Sequence, residues 1–113
     1  KMNIIKINKE QIINSNILSL FNNKITFENF EFKDEIYLGI RPEDISLENN
    51  HEIQVDVKID HVENLGFEKI IYSKVLENQI IIKSSKNINN YSLKISFSKD
   101  KVLFFDKDKN RIR

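Results

Sequence analysis

From Ile53 to Asp60 the chain alternates without a fault. Ile53, Val55, Val57 and Ile59 are apolar; Gln54, Asp56, Lys58 and Asp60 between them are polar. A two-residue period marks a strand with one wet face, and a helix cannot gather such a pattern onto one side. Composition pushes the same way. Of the 113 residues 20 are Ile and none is Ala, so the best helix former is missing and a β-branched residue suited to a pleated sheet is abundant. Asn and Lys, at 15 each, share A/T-rich codons with Ile. Pairs such as Asn49-Asn50 and Asn89-Asn90 are therefore read as base composition rather than as sites.

The rest of the chain divides into similar short runs. Strands are expected over 2–8, at Ile12-Ile13, over Ile17–Leu20, and over 24–27 after a turn at Asn22-Asn23. Glu28–Glu35, with Phe30 and Phe32 among acids, reads as an edge strand or a surface loop. Ile36–Arg41 reads as a buried strand stopped by Pro42, which has no N–H for a ladder. Pro42-Glu43-Asp44 suits a single helical turn with proline leading it. The alternating strand is expected to break at His61-Val62, with a turn at Leu65-Gly66. Phe67–Leu76 and Gln79–Lys83 follow as a pair joined at Glu77-Asn78. Leu93–Ser98 and Val102–Phe105 read as a last pair around Lys99-Asp100. Nine or ten short strands with a turn every 8–12 residues predict an all-β domain, a small OB-like barrel with little helix. The domain covers residues 1–113, with a boundary between two lobes drawn at Glu48–His51.

Several chemistries are disfavoured. The net charge is +1 and there is no cysteine, so a polybasic arm, a disulfide framework and a thiolate zinc site are out. No apolar run reaches the roughly 20 residues of a membrane span and no secretory leader is read, so a soluble intracellular chain is expected. The two histidines, His51 and His61, lack ligand spacing, and no metal is expected. Asp56 and Asp60 share the wet face of one strand with Lys58 between them, an ordinary solvated pattern. The only two glycines, Gly39 and Gly66, cannot build a Walker A or Rossmann turn. No glycine-flanked catalytic serine occurs. For single-stranded nucleic acid, the tail cations Lys107, Lys109, Arg111 and Arg113 are interleaved with Asp106 and Asp108. Phe97, Phe104 and Phe105 read as core, so no nucleic-acid partner is expected. Phe27, Phe30 and Phe32 are read two ways: a partly exposed contact surface, or an amphipathic edge strand packing inward.

Gly39-Ile40-Arg41-Pro42-Glu43-Asp44-Ile45, after a strand, resembles the TOBE accessory domain that follows the ATPase core in ABC importer ATP-binding subunits. Two further segments fall in the same order. Glu63-Asn64-Leu65-Gly66-Phe67-Glu68 is similar to that family's Glu-x-Leu-Gly-x-Glu turn, and Val102-Leu103-Phe104-Phe105-Asp106 resembles its closing strand. The Leu-Gly-x-Glu element is most similar to the carbohydrate-importer branch of the maltose type. Two features depart from the family pattern: Asn90-Tyr91-Ser92 stands where a Gly-Asp turn is usual, and Lys109-Asn110 replaces a closing-turn glycine.

The resemblance implies a non-catalytic OB-like domain that regulates and dimerises a sugar-import ATPase. ATP and Mg would belong to the absent ATPase core, and no cofactor to this chain. Its partners would be its own core, a second copy of the subunit, membrane permease subunits reached through the core, and a regulatory protein. The full-length protein would be cytoplasmic, peripheral at the inner face of the membrane. Gly39, Pro42, Gly66, Glu68, Phe104 and Asp106 would carry the motif's structure, with φ > 0 expected at Gly66 and Phe104 filling the barrel. Arg41 is expected to fork onto a carboxylate, Glu43, Glu68 or Asp106. Arg41, Glu43, Asp44, Phe30 and Phe32 are the candidate interface. The alternative function is small-oxyanion or small-ligand sensing, for which Arg41 is the only arginine outside the tail; ranked below it is an OB domain that binds single-stranded nucleic acid.

Overall fold

A computed structural model describes the whole chain from Lys1 to Arg113. It is all-β. Eleven strands form three antiparallel sheets, and the only helical segments are three single 3-10 turns. The first sheet runs β1 (Asn3–Ile7), β5 (Ile36–Ile40), β10 (Leu103–Phe105), β11 (Arg111–Ile112). The second is a meander of β2 (Ile12–Asn14), β3 (Ile17–Leu20) and β4 (Asn23–Thr26). The third has the order β8 (Asn78–Ser84), β7 (Lys69–Val75), β6 (Ile53–Asn64), β9 (Ser92–Phe97). No helix is long and apolar enough to cross a membrane.

One core of 21 buried apolar residues lies among the three sheets. Ile53, Val55 and Val57 are all within 2% of full burial, so the alternating half of β6 points where its period says. The ladders do not join into a ring. Side-chain amides bridge the seams instead. Asn3 Nδ2 donates to Ile81 O and Asn3 Oδ1 accepts from Ile81 N–H, both at 2.8 Å, which ties β1 to the free edge of β8. Asn23 Nδ2 donates to Leu20 O, Phe21 O and Gln54 O, tying the meander to β6. Buried Ser96 accepts from Asn50 and His51 N–H and donates to Glu48 O, pinning the polar segment 48–51 onto β9.

Two sequence expectations are corrected, and two further segments are decided by the fold. Strand β6 does not break at His61-Val62; it absorbs one extra residue, Asp60, as a bulge against Ser73 and Tyr72, and continues to Asn64. Leu93–Ser98 and Val102–Phe105 are not partners. β9 pairs with β6 and β10 with β5, the two being joined by a 3-10 turn at Lys99–Lys101. Of the two readings of Glu28–Glu35 the loop is the one formed, and its phenylalanines reach the core from it. The two-residue strand β11 is an addition that period alone could not reveal.

Candidate interface: the Arg41 turn and the aromatic cluster

Strand β5 ends at Ile40 because Pro42 follows. Arg41 stays extended (φ −75°, ψ 143°), Pro42 opens a 3-10 turn over Pro42–Asp44, and Asp44 N–H closes it on Arg41 O at 3.0 Å. Pro42 and Ile45 are buried, anchoring the turn, while Glu43 stands in solvent. Arg41 is half-exposed, and its Nη1 lies 3.9 Å from Asp44 Oδ2. Its ionic partner is therefore Asp44, three residues along, and not Glu43, Glu68 or Asp106. A long single-point pair at the surface contributes little and leaves the guanidinium free to meet a partner.

The other motif residues have structural work nearby. A Cβ on Gly39 would collide with the Met2 thioether and come within 2.9 Å of Phe105 Cε2, so the bare glycine is what lets those two side chains lie over the strand. Gly66 has φ +95° at the β6–β7 tip, where its N–H bonds Asn64 Oδ1 at 3.0 Å. Glu68 O accepts Leu65 N–H at 2.8 Å to close that tip. Asp106 Oδ1 accepts the N–H groups of Asp108 and Asn110, each at 2.9 Å, and so organises the β10–β11 turn rather than pairing with Arg41. In that turn the left-handed residue is Lys109 (φ 65°), not Asn110.

Phe104 stands at the centre of four rings. Phe27, Phe30 and Phe32 approach it edge-on with centroids at 4.9, 5.0 and 4.8 Å, and Phe30 stacks on Phe32 at 5.7 Å. Phe32 is only 4% exposed, so it belongs to the core and offers no contact surface; the inward-packing reading of this segment is the one the fold takes. Phe30 remains half-buried at the rim. Of the candidate interface residues, Arg41, Glu43 and Asp44 share one turn, while Phe30 belongs to the loop before β5.

Three carboxylates are shifted, all downward. Asp34 is lowered by the Glu35 backbone N–H and then by Lys9; Glu48 by the hydrogen bond and charge of Lys86; Glu52 by the Lys99 backbone N–H. Each shift comes from partners that favour the ionised form. No three His, Asp or Glu side chains converge on a common point, and every buried side-chain polar atom has a partner.

Asn3 and Asn23 escape a sequence reading that assigns asparagine to base composition, and Ser73 and Ser96 escape it because nothing local marks a buried serine. A signal existed for Asn3: it shares the inward phase of β1 with Ile5 and Ile7, where a polar residue needs a reason. The core reading of Phe105 is corrected: adjacent residues of a strand face opposite ways, and with Phe104 buried Phe105 looks outward. Neither the protein-family models nor the curated proteins contain a match to this chain.

Proposed function

We propose that the chain is a non-catalytic TOBE-type domain of an ABC importer ATP-binding subunit of the sugar-importing branch, serving regulation and dimerisation. The observation that carries this reading is the pairing of two motif segments that are distant in sequence. Leu103 lies opposite Gly39 and Phe104 opposite Leu38, so the closing strand is the direct neighbour of the strand that delivers Gly-Ile-Arg-Pro-Glu. The third segment supplies a hairpin tip with a glycine at positive φ.

On this reading the Arg41–Asp44 turn is a contact surface toward the ATPase core or a second copy, and Glu43 and the half-paired Arg41 are its exposed charges. A contact between copies would be isologous. Nucleotide hydrolysis and the permease contacts fall to the core, at the cytoplasmic face of the membrane. The test is the open reading frame flanking residue 1. A Walker A loop and an ABC signature encoded upstream, in frame, are expected; a reading frame without them overturns the proposal.

A further inference from the structure

The outer face of the first sheet carries side chains that a solvated face does not need. Register aligns Lys6 with Tyr37, Tyr37 with Phe105, and Phe105 with Arg111. Directly opposed residues share a face, so these four form one cross-strand row with a cation at each end and two rings in the middle. Three strand spacings make the row about 14 Å long. The adjacent row, Ile4, Gly39 and Leu103, is apolar, and Ile4 is 48% exposed. A cleft of about 200 Å³ lies among Ile4, Tyr37, Phe105 and Lys109. Lys109 Nζ stands 5.8 Å from the Tyr37 ring centre.

The charges around this platform favour an anion. The seven ion pairs of the chain leave Lys109, Arg111 and Arg113 unpaired. Of the nearby acids, Asp108 in the same turn and Glu28 and Asp100, which share a groove with Arg111, form no ion pair, while two others are occupied. Glu35 pairs with Lys6 at 3.6 Å, and Asp106 is held by the N–H groups of its own turn.

We propose that this face binds single-stranded nucleic acid, its bases stacking on Tyr37 and Phe105 and its phosphates reaching Lys109, Arg111 and the tail. The partner needs flat apolar faces with negative charge beside them. Unpaired strands present both, and base stacking on aromatic side chains combined with a cationic track is how they are held without sequence preference. A duplex hides its base faces. A mononucleotide offers one base to two rings and a single phosphate group to three cations. The inference stands on this sheet alone and is independent of the transporter reading.

The test is fluorescence anisotropy of short labelled deoxythymidine and uridine strands titrated with the intact chain at low salt. Binding is expected, with log Kd depending on log salt with a slope of about 2 in magnitude, from three cations on a single strand. Phe105→Leu and Tyr37→Leu should each weaken binding at least about fivefold through lost stacking. Lys109→Gln and Arg111→Gln, both surface changes that leave the core alone, should each flatten the salt slope by about 0.7. Lys74→Gln, on the β6–β7 hairpin, should change nothing. Three results overturn the proposal: no binding at low salt, binding indifferent to both ring substitutions while circular dichroism shows the fold intact, or a preference for duplex or for phosphatidylserine vesicles over single strands. If a ring variant unfolds, the two surface variants decide the outcome alone.

Discussion

Phe104 and Arg41 both belong to segments that carry the family resemblance, yet their side chains face opposite fates. Phe104 is 1% exposed and touches three other rings, so Phe104→Ala removes the hub of the cluster and leaves a cavity. The expected loss is about 3–5 kcal/mol, read from urea unfolding midpoints. Arg41→Ala removes a half-exposed pair at 3.9 Å and should cost less than about 1 kcal/mol in the same measurement. A large cost at Arg41 would mean the residue supports the fold and is not held ready for a partner. Leu76 shows the reverse situation, a residue the fold tolerates rather than needs. It sits at φ 54° in the β7–β8 turn and is 86% exposed. A leucine there bears about 1–2 kcal/mol of left-handed strain that glycine does not feel. Allowing for glycine's greater freedom in the unfolded chain, Leu76→Gly should raise stability by up to about 1 kcal/mol.

At the scale of elements, legibility followed periodicity. Strands β1, β3, β5, β7 and β8, the stop at Pro42 and its 3-10 turn were all readable, since each combines an apolar run with a local breaker. What could not be read was partner choice. β9 and β10 are adjacent in sequence with a turn between them, and local pattern made them a hairpin; only the three-dimensional core sends one to β6 and the other to β5. The bulge at Asp60 was hidden for a related reason, because a slip of phase in one strand looks like an ending until the partner is known. The 3-10 turn between β9 and β10 also has a titration consequence. Glu52 accepts the Lys99 N–H that begins this turn, and its carboxyl is held below its ordinary 4.5. A depressed carboxyl stabilises the fold above that ordinary value, and the contribution is lost as pH falls through the lowered one. Asp34 and Glu48 act in the same direction. Urea midpoints should therefore hold steady at neutral pH and decline once pH drops below about 4.5. Glu52→Gln should narrow the difference between neutral and acid midpoints; an unchanged difference would show that the Lys99 contact is not formed in solution.

The whole molecule depends on seams. Three sheets with separate ladders share one core, and beyond apolar packing they are linked by two asparagine side chains and by the Lys99 ammonium, which donates to Thr26 O at 3.2 Å. The candidate site was partly legible for the same reason that the seams were not. Motif residues could be placed by resemblance, whereas Asn3 is informative only once β8 is known to lie beside it. Its amide copies a peptide unit, giving β8 the donor and acceptor that a neighbouring strand would supply, from a position 5% exposed. Asn3→Ala leaves Ile81 N–H and C=O without these partners, at about 1–3 kcal/mol for each group that water does not reach. Asn3→Asp is the sharper test. Its carboxylate can still accept from Ile81 N–H but now sets negative charge against Ile81 O. Its pKa should rise, so this variant should be weakest at neutral pH and recover as the carboxyl protonates, opposite in sign to the Glu52 effect. Asn23→Ala breaks the second seam, at Gln54 O. If the common core makes folding cooperative, each seam variant shifts a single sharp transition seen alike by circular dichroism and tyrosine fluorescence. Two separated transitions in Asn3→Ala would show instead that the sheet holding β5 and the sheet holding β6 are joined chiefly by that one amide.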